Sequence, residues 1–329
     1  MRVGYALSRV RPIAWLIFGA LGLSLLGCTS PRVVRSPDQT LDPRLARGVT
    51  MTAQLDRPDD TSWVDLQRDD VFREIRRAGF TAVRIAVDFT TAQRQGDDPA
   101  GAFHPRWLAR IERIARNADR AGLVTILTAR APADLNDVAS QARLLADWRT
   151  LAQHLRGARD TVLFELLDHP DDTLADEEWS ALAERLRMAI RESNPNRPLL
   201  VGPAHRYDPA HLGLLRLSPD PRVIYVFSYT AHAPGPWSGT PEDVRRIEAD
   251  LDAVARWARE RNSPIYCASF GAAEHEDPQS HVRWATSVAR ALEARGIGWN
   301  YFDFGGNAGV FDSTWRIWRQ PLVGALLND

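Results

Sequence analysis

The chain has 329 residues, 44% of them hydrophobic, which is enough to bury one large core, so we predict a single folded domain behind the N-terminal segment. Acidic and basic residues are interspersed and the formal net charge is -1, which argues against a nucleic-acid-binding surface and against a polybasic membrane face.

The first 28 residues have the pattern of a bacterial lipoprotein signal peptide. Three arginines lie within the first eleven residues, an apolar run covers 13–26, and Leu25-Leu26-Gly27-Cys28 follows. The run is short for a membrane span, although an uncleaved transmembrane anchor is the alternative interpretation. We therefore predict that residues 1–27 are removed and that the Cys28 thiol carries the lipid.

Residues 28–45 are rich in proline and polar residues and are predicted to be a tether. Thr29 directly after the cysteine resembles the sorting signal of outer-membrane lipoproteins, which implies a lipid-anchored protein of the bacterial cell envelope, facing the periplasm or the exterior. The second cysteine, Cys267, lies in the apolar run "PIYCASF" with no basic neighbour. We predict that Cys267 is a buried structural thiol rather than a nucleophile.

From residue 45 onward, short apolar runs alternate with longer stretches of helical periodicity. Eight runs are predicted to be strands: 48–51, 81–87, 123–128, 162–167, 198–202, 222–227, 264–269 and 297–302.

The stretches between these runs show apolar residues at intervals of three, four and seven. Trp107, Ile111 and Ala118 form one such pattern, and Ile247 and Leu251 belong to another. Strands that are apolar on both faces and are each followed by an amphipathic helix indicate a parallel sheet covered by helices. Eight units favour a closed α/β fold, the (β/α)8 TIM barrel, over an open doubly wound sheet, because no glycine-rich phosphate loop follows the first strand.

Polar residues stand where the predicted strands end. In "FELLDHP", residues 164–170, an acid and an imidazole follow a buried strand. Active sites of such barrels lie at the carboxyl ends of the strands, so these residues are predicted to surround a pocket mouth. The predicted ring contains Arg84, Asp88, residues 128–131, Asp168, His169, residues 203–205, Ser228, Tyr229, Ser269, Phe302 and Asp303.

Six segments resemble, in order and spacing, those of glycoside hydrolase family 5, the cellulase-like (β/α)8 enzymes. They are "RGVTM", "AGFTAVRIAV", "LFELLDHP", "VIYVFSYTAHAP", "SPIYCASFGA" and "GIGWNYFDFGGNAGVFD". The resemblance extends from about residue 47 to residue 327. It implies a barrel domain over 46–329 and a polysaccharide or oligosaccharide as partner.

The resemblance also implies that both catalytic carboxylates are missing. Retaining glycosidases need two carboxyl groups roughly 5 Å apart. The Asn-Glu-Pro motif of the family aligns with Asp168-His169-Pro170, so His169 stands at the acid/base position. The Gly-Glu-Phe-Gly motif aligns with 268–271, so Ser269 stands at the nucleophile position. We therefore expect a catalytically degenerate member of the family.

Six other residues are predicted to contact a sugar. Arg84 and Tyr229 match the family, whereas Arg130 and Phe302 replace a family His and Trp. Asp168 can accept a sugar hydroxyl, and Trp237, in the loop "APGPW", can stack on a sugar ring. No cofactor is expected, and no metal site either, because adjacent residues of "EHEDP", 274–278, cannot easily converge on one ion.

Three functions remain open from the sequence. The protein is a degenerate glycosidase that binds polysaccharide, an active O-glycosyl hydrolase with relocated carboxylates, or an interaction protein that uses the barrel as a rigid body without a sugar ligand. In the second case the carboxylates would be Asp168 with a residue of the 274–277 loop or Asp303. Protein partners are not indicated.

Overall fold

The computed structural model describes residues 41–51, 69–90, 92, 94, 102–132, 134–170, 173–230, 237–271, 277–305, 309–312 and 315–328. Within them, eight parallel strands close into a barrel in sequential order, with β1 paired to both β2 and β8. The strands are β1 Arg47–Met51, β2 Ala82–Val87, β3 Val124–Arg130, β4 Val162–Asp168, β5 Leu199–Val201, β6 Val223–Thr230, β7 Ile265–Gly271 and β8 Gly298–Tyr301. The predicted (β/α)8 barrel and its eight strands are confirmed.

Helices surround the barrel. They are α1 Asp69–Ala78, α2 Pro105–Arg120, α3 Val138–His154, α4 Asp176–Arg191, the four-residue α5 Ala204–Tyr207, α6 Pro241–Glu260, α7 Pro278–Glu293 and α8 Gln320–Leu327. A short hairpin of β9 Phe311–Asp312 and β10 Ile317–Trp318 precedes α8. No described helix combines the length and the apolar character that a membrane crossing requires.

The strands are apolar on both faces because the barrel has two cores. Val83 and Ile85 of β2 belong to the larger cluster between the barrel and the helices, while Ala82 belongs to the cluster inside the barrel. Side chains alternate along a strand, so Arg84, between Val83 and Ile85, points into the barrel. Its side chain is completely buried.

The boundary between tether and barrel differs from the prediction. Residues 28–40 lie outside the described part of the chain, but Pro43–Leu45 forms a 3-10 turn capped by Asp42. Leu45 is fully buried in the interior cluster, and Leu41 packs against the same cluster. Residues 41–45 therefore belong to the barrel, because these two leucines close its amino-terminal end. The predicted signal peptide, 1–27, and Cys28 lie outside the described residues.

Candidate functional site

A buried arginine and a buried glutamate form the floor of the barrel mouth. Nε and Nη2 of Arg84 donate to the two carboxylate oxygens of Glu165, each at 2.7 Å. Both side chains are fully buried, and a bidentate pair of this kind fixes the plane of each group. Neither member of the pair is therefore free to rotate toward a ligand above it.

Asp168, the last residue of β4, extends this network toward the mouth. Nη2 of Arg84 also donates to Oδ1 of Asp168 at 2.6 Å. Burial of Asp168 opposes ionisation, but the Arg84 charge and the hydrogen bonds from His169 and Arg84 hold the pKa of the carboxyl well below its usual range. Asp168 is therefore a carboxylate at neutral pH, and it already accepts two hydrogen bonds on one oxygen.

His169 follows and connects Asp168 to β6, two strands further round the barrel. Nδ1 of His169 lies 2.6 Å from Oδ1 of Asp168, and Nε2 lies 2.7 Å from Oγ of Ser228 on β6. His169 has a φ of 51°, which non-glycine residues rarely adopt. The ring lies 5.2 Å from the ring of Tyr207, centroid to centroid. The structure thus brings together Asp168, His169 and Ser228, all of which the sequence placed in the ring.

Ser269 stands next to Ser228, because the two residues pair in register between β6 and β7. Ser269 is 4% exposed, so it lies at the bottom of the mouth rather than on its rim. Two residues earlier, Cys267 is fully buried, and burial raises the pKa of its thiol. The prediction of a buried structural thiol is confirmed.

An aromatic ring and a guanidinium form part of the rim. Phe302, just after β8, has 42% of its surface exposed although the strand before it is buried. The Phe302-Asp303 peptide bond is cis. Arg130 ends β3, is exposed, and pairs in register with Asp168. Both residues remain candidates for ligand contact.

The two other predicted sugar contacts, Tyr229 and Trp237, differ in their surroundings. The hydroxyl of Tyr229 donates to Asp250 of α6 at 2.9 Å, and burial together with this bond raises the pKa of the phenol. Tyr229 follows Ser228 on β6, so its side chain faces the helices rather than the mouth. Trp237 is half-buried against the outer core, and its carbonyl accepts from Ser280 at the start of α7. The geometry therefore turns Tyr229 away from the sugar contact predicted for it, whereas the contact predicted for Trp237 stays a prediction.

Residues 48–308 match the family model for cellulase, which is described as glycosyl hydrolase family 5. The match covers most of the chain. The chain belongs to glycosyl hydrolase family 5.

Relatives in this family are cellulases of low identity. Endoglucanase H of Acetivibrio thermocellus is 24% identical over 303 residues, which are 87% of this chain and 33% of that protein. The cellulase/esterase of the same organism is 26% identical over 282 residues, covering 76% of this chain and 34% of that protein. The chain thus spans about a third of the length of these two relatives.

Several solved structures share the fold. Cel5A of Thermotoga maritima in complex with mannotriose has a TM-score of 0.79 and 25% identity, covering 87% of this chain and 100% of that one. The same enzyme with cellobiose gives a TM-score of 0.78 at 25% identity over the same shares. A cellulose synthase subunit from Clostridioides difficile, at 22% identity and a TM-score of 0.78, covers 86% of this chain and 99% of that one.

Sequence reasoning missed two residues that hold this family 5 site in place. Glu165 lies within the predicted strand 162–167 rather than at its end, yet it anchors Arg84. Sequence reasoning did not consider Tyr207, whose buried hydroxyl donates to the Leu167 carbonyl directly below Asp168. Tyr207 has a positive φ at the end of α5, and a Cβ at Gly202 would lie 2.2 Å from its ring. Only glycine fits at position 202, because any side chain there would clash with the Tyr207 ring. The sequence pattern alone does not show this contact.

Other acidic residues near the mouth have structural partners. Asp88 accepts from the backbone and the hydroxyl of Thr90. Asp277 caps α7 by accepting from the backbone of Gln279 and Ser280. The remaining acids proposed for the loop, at 274 and 276, lie outside the described residues.

One group of described residues could hold a metal ion, beside α5. Asp176, His205 and His211 offer ligand atoms within 4.8 Å of one another. Nδ1 of His211 already lies 2.9 Å from Oδ2 of Asp176, and the two imidazole rings are 4.2 Å apart, centroid to centroid. Two imidazoles and a carboxylate suit zinc among the common biological ions, but the direct His211–Asp176 contact accounts for the cluster as an ordinary hydrogen-bonded group.

Proposed function

We propose that this protein is a degenerate family 5 lipoprotein of the bacterial envelope that binds a polysaccharide, of β-glucan type or an exopolysaccharide, without cleaving it. Family membership supports a carbohydrate ligand, since relatives such as Cel5A have been solved with cellobiose and mannotriose. The sequence pattern around Cys28 supports the lipid anchor.

The Arg84 network is the observation that carries the proposal of lost hydrolysis. A double displacement needs one carboxyl that can give up a proton and one carboxylate that can reach the anomeric carbon. Glu165 is fully buried and held by both of its oxygens. Asp168 is held in the anionic form, so it cannot act as the acid. At the positions where the family has its two glutamates, this chain has His169 and Ser269.

Relocated carboxylates are the second candidate. The observation that favours them is Asp303, which lies directly after the exposed Phe302 at the mouth and is 7% exposed. The acid partner of Asp303 would have to come from another element, because Asp168 remains ionised and bound to Arg84.

Glycan binding tests the proposal. We expect titration of the full-length protein with soluble β-glucans, mannans and exopolysaccharides to give a Kd of about 0.1 to 1 mM for at least one of them. Phe302→Ala should weaken binding about fivefold, because stacking on a sugar face is lost. Met188→Ala is the matched control, since Met188 is also exposed, at 58%, but lies on α4 away from the mouth. No binding to any glycan would favour an interaction protein.

Hydrolysis of aryl β-glycosides and β-glucan tests the loss of glycosidase activity. We expect no turnover above background for the wild type, His169→Glu or Ser269→Glu, because each variant restores one half of a mechanism that needs both. The double variant is expected to give trace activity at most. Robust wild-type hydrolysis that Asp303→Asn abolishes would establish the relocated carboxylates instead.

A further inference from the structure

We propose that Asp168, His169 and Ser228 form a serine acyl-transfer centre that hydrolyses carboxylic esters. The order of contacts is carboxylate, imidazole, hydroxyl, with 2.6 Å between Asp168 and His169 and 2.7 Å between His169 and Ser228. This is the arrangement in which a histidine activates a serine and a carboxylate orients the histidine. The centre goes beyond the proposed glycan binding, since it assigns a reaction to the same mouth.

The positions of the hydrogens in these three side chains follow from the ionised carboxylate of Asp168. An ionised carboxylate can only accept hydrogen bonds, so Nδ1 of His169 carries the hydrogen that points to Asp168. In the neutral imidazole, Nε2 is then the acceptor, and Ser228 donates its hydroxyl hydrogen to it. Nε2 is thus positioned to take the proton of Ser228 when the oxygen attacks.

Buried contacts beneath Asp168, His169 and Ser228 hold the three residues in place. Arg84 fixes Asp168 at 2.6 Å and is itself fixed by Glu165, with both partners of that pair fully buried. His169 is held at a positive φ, a conformation that a non-glycine residue keeps only where the surrounding structure imposes it. Ser228 comes from a different strand, directly after a register shift between β6 and β7. Asp168 at the end of β4, His169 directly after it, and Ser228 on β6 thus converge.

The centre is also accessible. The His169 side chain is 24% exposed and Ser228 is 8% exposed, whereas Arg84 beneath them is completely buried. A substrate that enters the mouth therefore reaches the serine and the imidazole before any charged group below them.

The reaction balances with water as the only co-reactant. Oγ of Ser228 attacks the ester carbonyl carbon while its proton passes to Nε2 of His169. The carbon–oxygen bond to the alcohol then breaks, and the proton on Nε2 passes to the leaving oxygen. Water attacks the acyl-serine in the same way, which releases the carboxylic acid and restores Ser228. No oxidation or reduction occurs.

The alcohol part of the ester is inferred to be a sugar hydroxyl, and this part alone rests on the proposed glycan binding. Phe302 offers an exposed aromatic face at the same mouth, on which a sugar ring can stack. The substrate class is then a glycan that carries small O-acyl groups such as acetate.

The first experiment uses an activated ester and needs no glycan. We expect full-length protein to hydrolyse p-nitrophenyl acetate, with Ser228→Ala and His169→Ala each lowering the rate about 100-fold or more. The double variant should lose no more than either single variant, because the two residues act as a unit. Ser287→Ala is the matched control and should leave the rate unchanged, since its hydroxyl donates to the Arg283 carbonyl on α7. A wild-type rate equal to that of Ser228→Ala would overturn the proposal.

Covalent labelling of the wild type gives a second readout that no variant's folding can affect. A fluorophosphonate probe should modify Ser228, identified by mass spectrometry of the peptide that contains it, and chelation of metal ions should change neither labelling nor turnover. No label on Ser228 would contradict the proposal, and loss of turnover on chelation would assign the reaction to Asp176, His205 and His211. Acetate release from an O-acetylated β-glucan then tests whether the substrate is a sugar ester. If the protein hydrolyses the aryl ester but releases no acetate from the glucan, only the assignment of a sugar as the alcohol is refuted.

Discussion

At the scale of single residues, one cation determines the chemistry of the mouth. Arg84 binds Glu165 and Asp168 together, through three donated hydrogen bonds. Burial of an ion pair costs desolvation energy that only good geometry repays, and removal of one partner leaves the other charge uncompensated. The same contacts that keep Asp168 ionised therefore also make the mouth depend on Arg84 for its stability.

Replacement of Arg84 should be strongly destabilising. We expect Arg84→Met to lower the free energy of unfolding by about 3 to 5 kcal/mol, because Glu165 would be left as an unpaired buried charge. Arg245→Met is the control, since Arg245 pairs with Glu242 on the surface, and its effect should stay within about 0.5 kcal/mol. Urea denaturation measures both, and equal midpoints for the two variants would show that the buried pair does not act as described.

The depressed pKa of Asp168 predicts how stability changes in acid. A carboxyl whose pKa is lower in the folded than in the unfolded protein stabilises the fold above its unfolded value, about pH 4. That contribution is lost as the pH falls from about 4 through the lower folded value. We expect the wild type to exceed Asp168→Asn in stability at neutral pH, with the difference shrinking progressively below pH 4. A difference that stays constant between pH 7 and pH 2 would contradict the ionised state.

At the scale of elements, β7 passes close to the end of β8, and this contact positions Phe302 at the mouth. Gly271 ends β7, and a Cβ at this position would lie 2.4 Å from the backbone oxygen of Phe302. The amide of Phe302 in turn donates to the carbonyl of Phe270 at 2.8 Å. Phe302 is therefore positioned by backbone contacts with the neighbouring strand rather than by its own side chain.

Substitution of Gly271 should displace Phe302. We expect Gly271→Ala to lower the free energy of unfolding by about 1 to 3 kcal/mol and to weaken glycan binding, because backbone must move to admit the methyl group. Gly213→Ala is the control, since a Cβ at Gly213 meets no atom within 4 Å. Chemical denaturation and glycan titration check the pair. Wild-type behaviour of Gly271→Ala in both would show that the strand can yield at no cost.

At the scale of the whole molecule, the barrel is closed below by residues that the sequence assigned to a tether. Leu45 is completely buried inside the amino-terminal end, and a Cβ at Gly298 would lie 1.9 Å from the Leu45 carbonyl oxygen. Residues 41–45 therefore lie at the end of the barrel opposite the mouth, since the mouth lies at the carboxyl ends of the strands.

The proposed lipid anchor leads to a prediction for the whole chain. We expect the wild-type protein to be processed and to fractionate with membranes, and Cys28→Ala to remain unprocessed, because the Cys28 thiol is the proposed attachment point of the lipid. Cys267→Ala is the control, since Cys267 is buried in the barrel and its loss should not affect processing. Electrophoretic mobility and membrane fractionation are the measurements. Normal processing of Cys28→Ala would exclude a lipoprotein.

The sequence by itself determined the barrel, because each strand and helix carries a local hydrophobic period that does not depend on its neighbours. All eight strands were predicted from such runs, and the ring of strand-end residues followed from them.

Only the tertiary structure decided which ring members meet. Tyr229 matches the family by position, yet it faces α6, while its neighbour Ser228 contacts His169 at the mouth. Side-chain direction at a strand end depends on register shifts such as the one before Ser228, and these arise from pairing between strands far apart in sequence. The Asp168–His169–Ser228 contacts could not be predicted for the same reason: His169 follows β4, Ser228 lies on β6, and no local pattern records the distance between them.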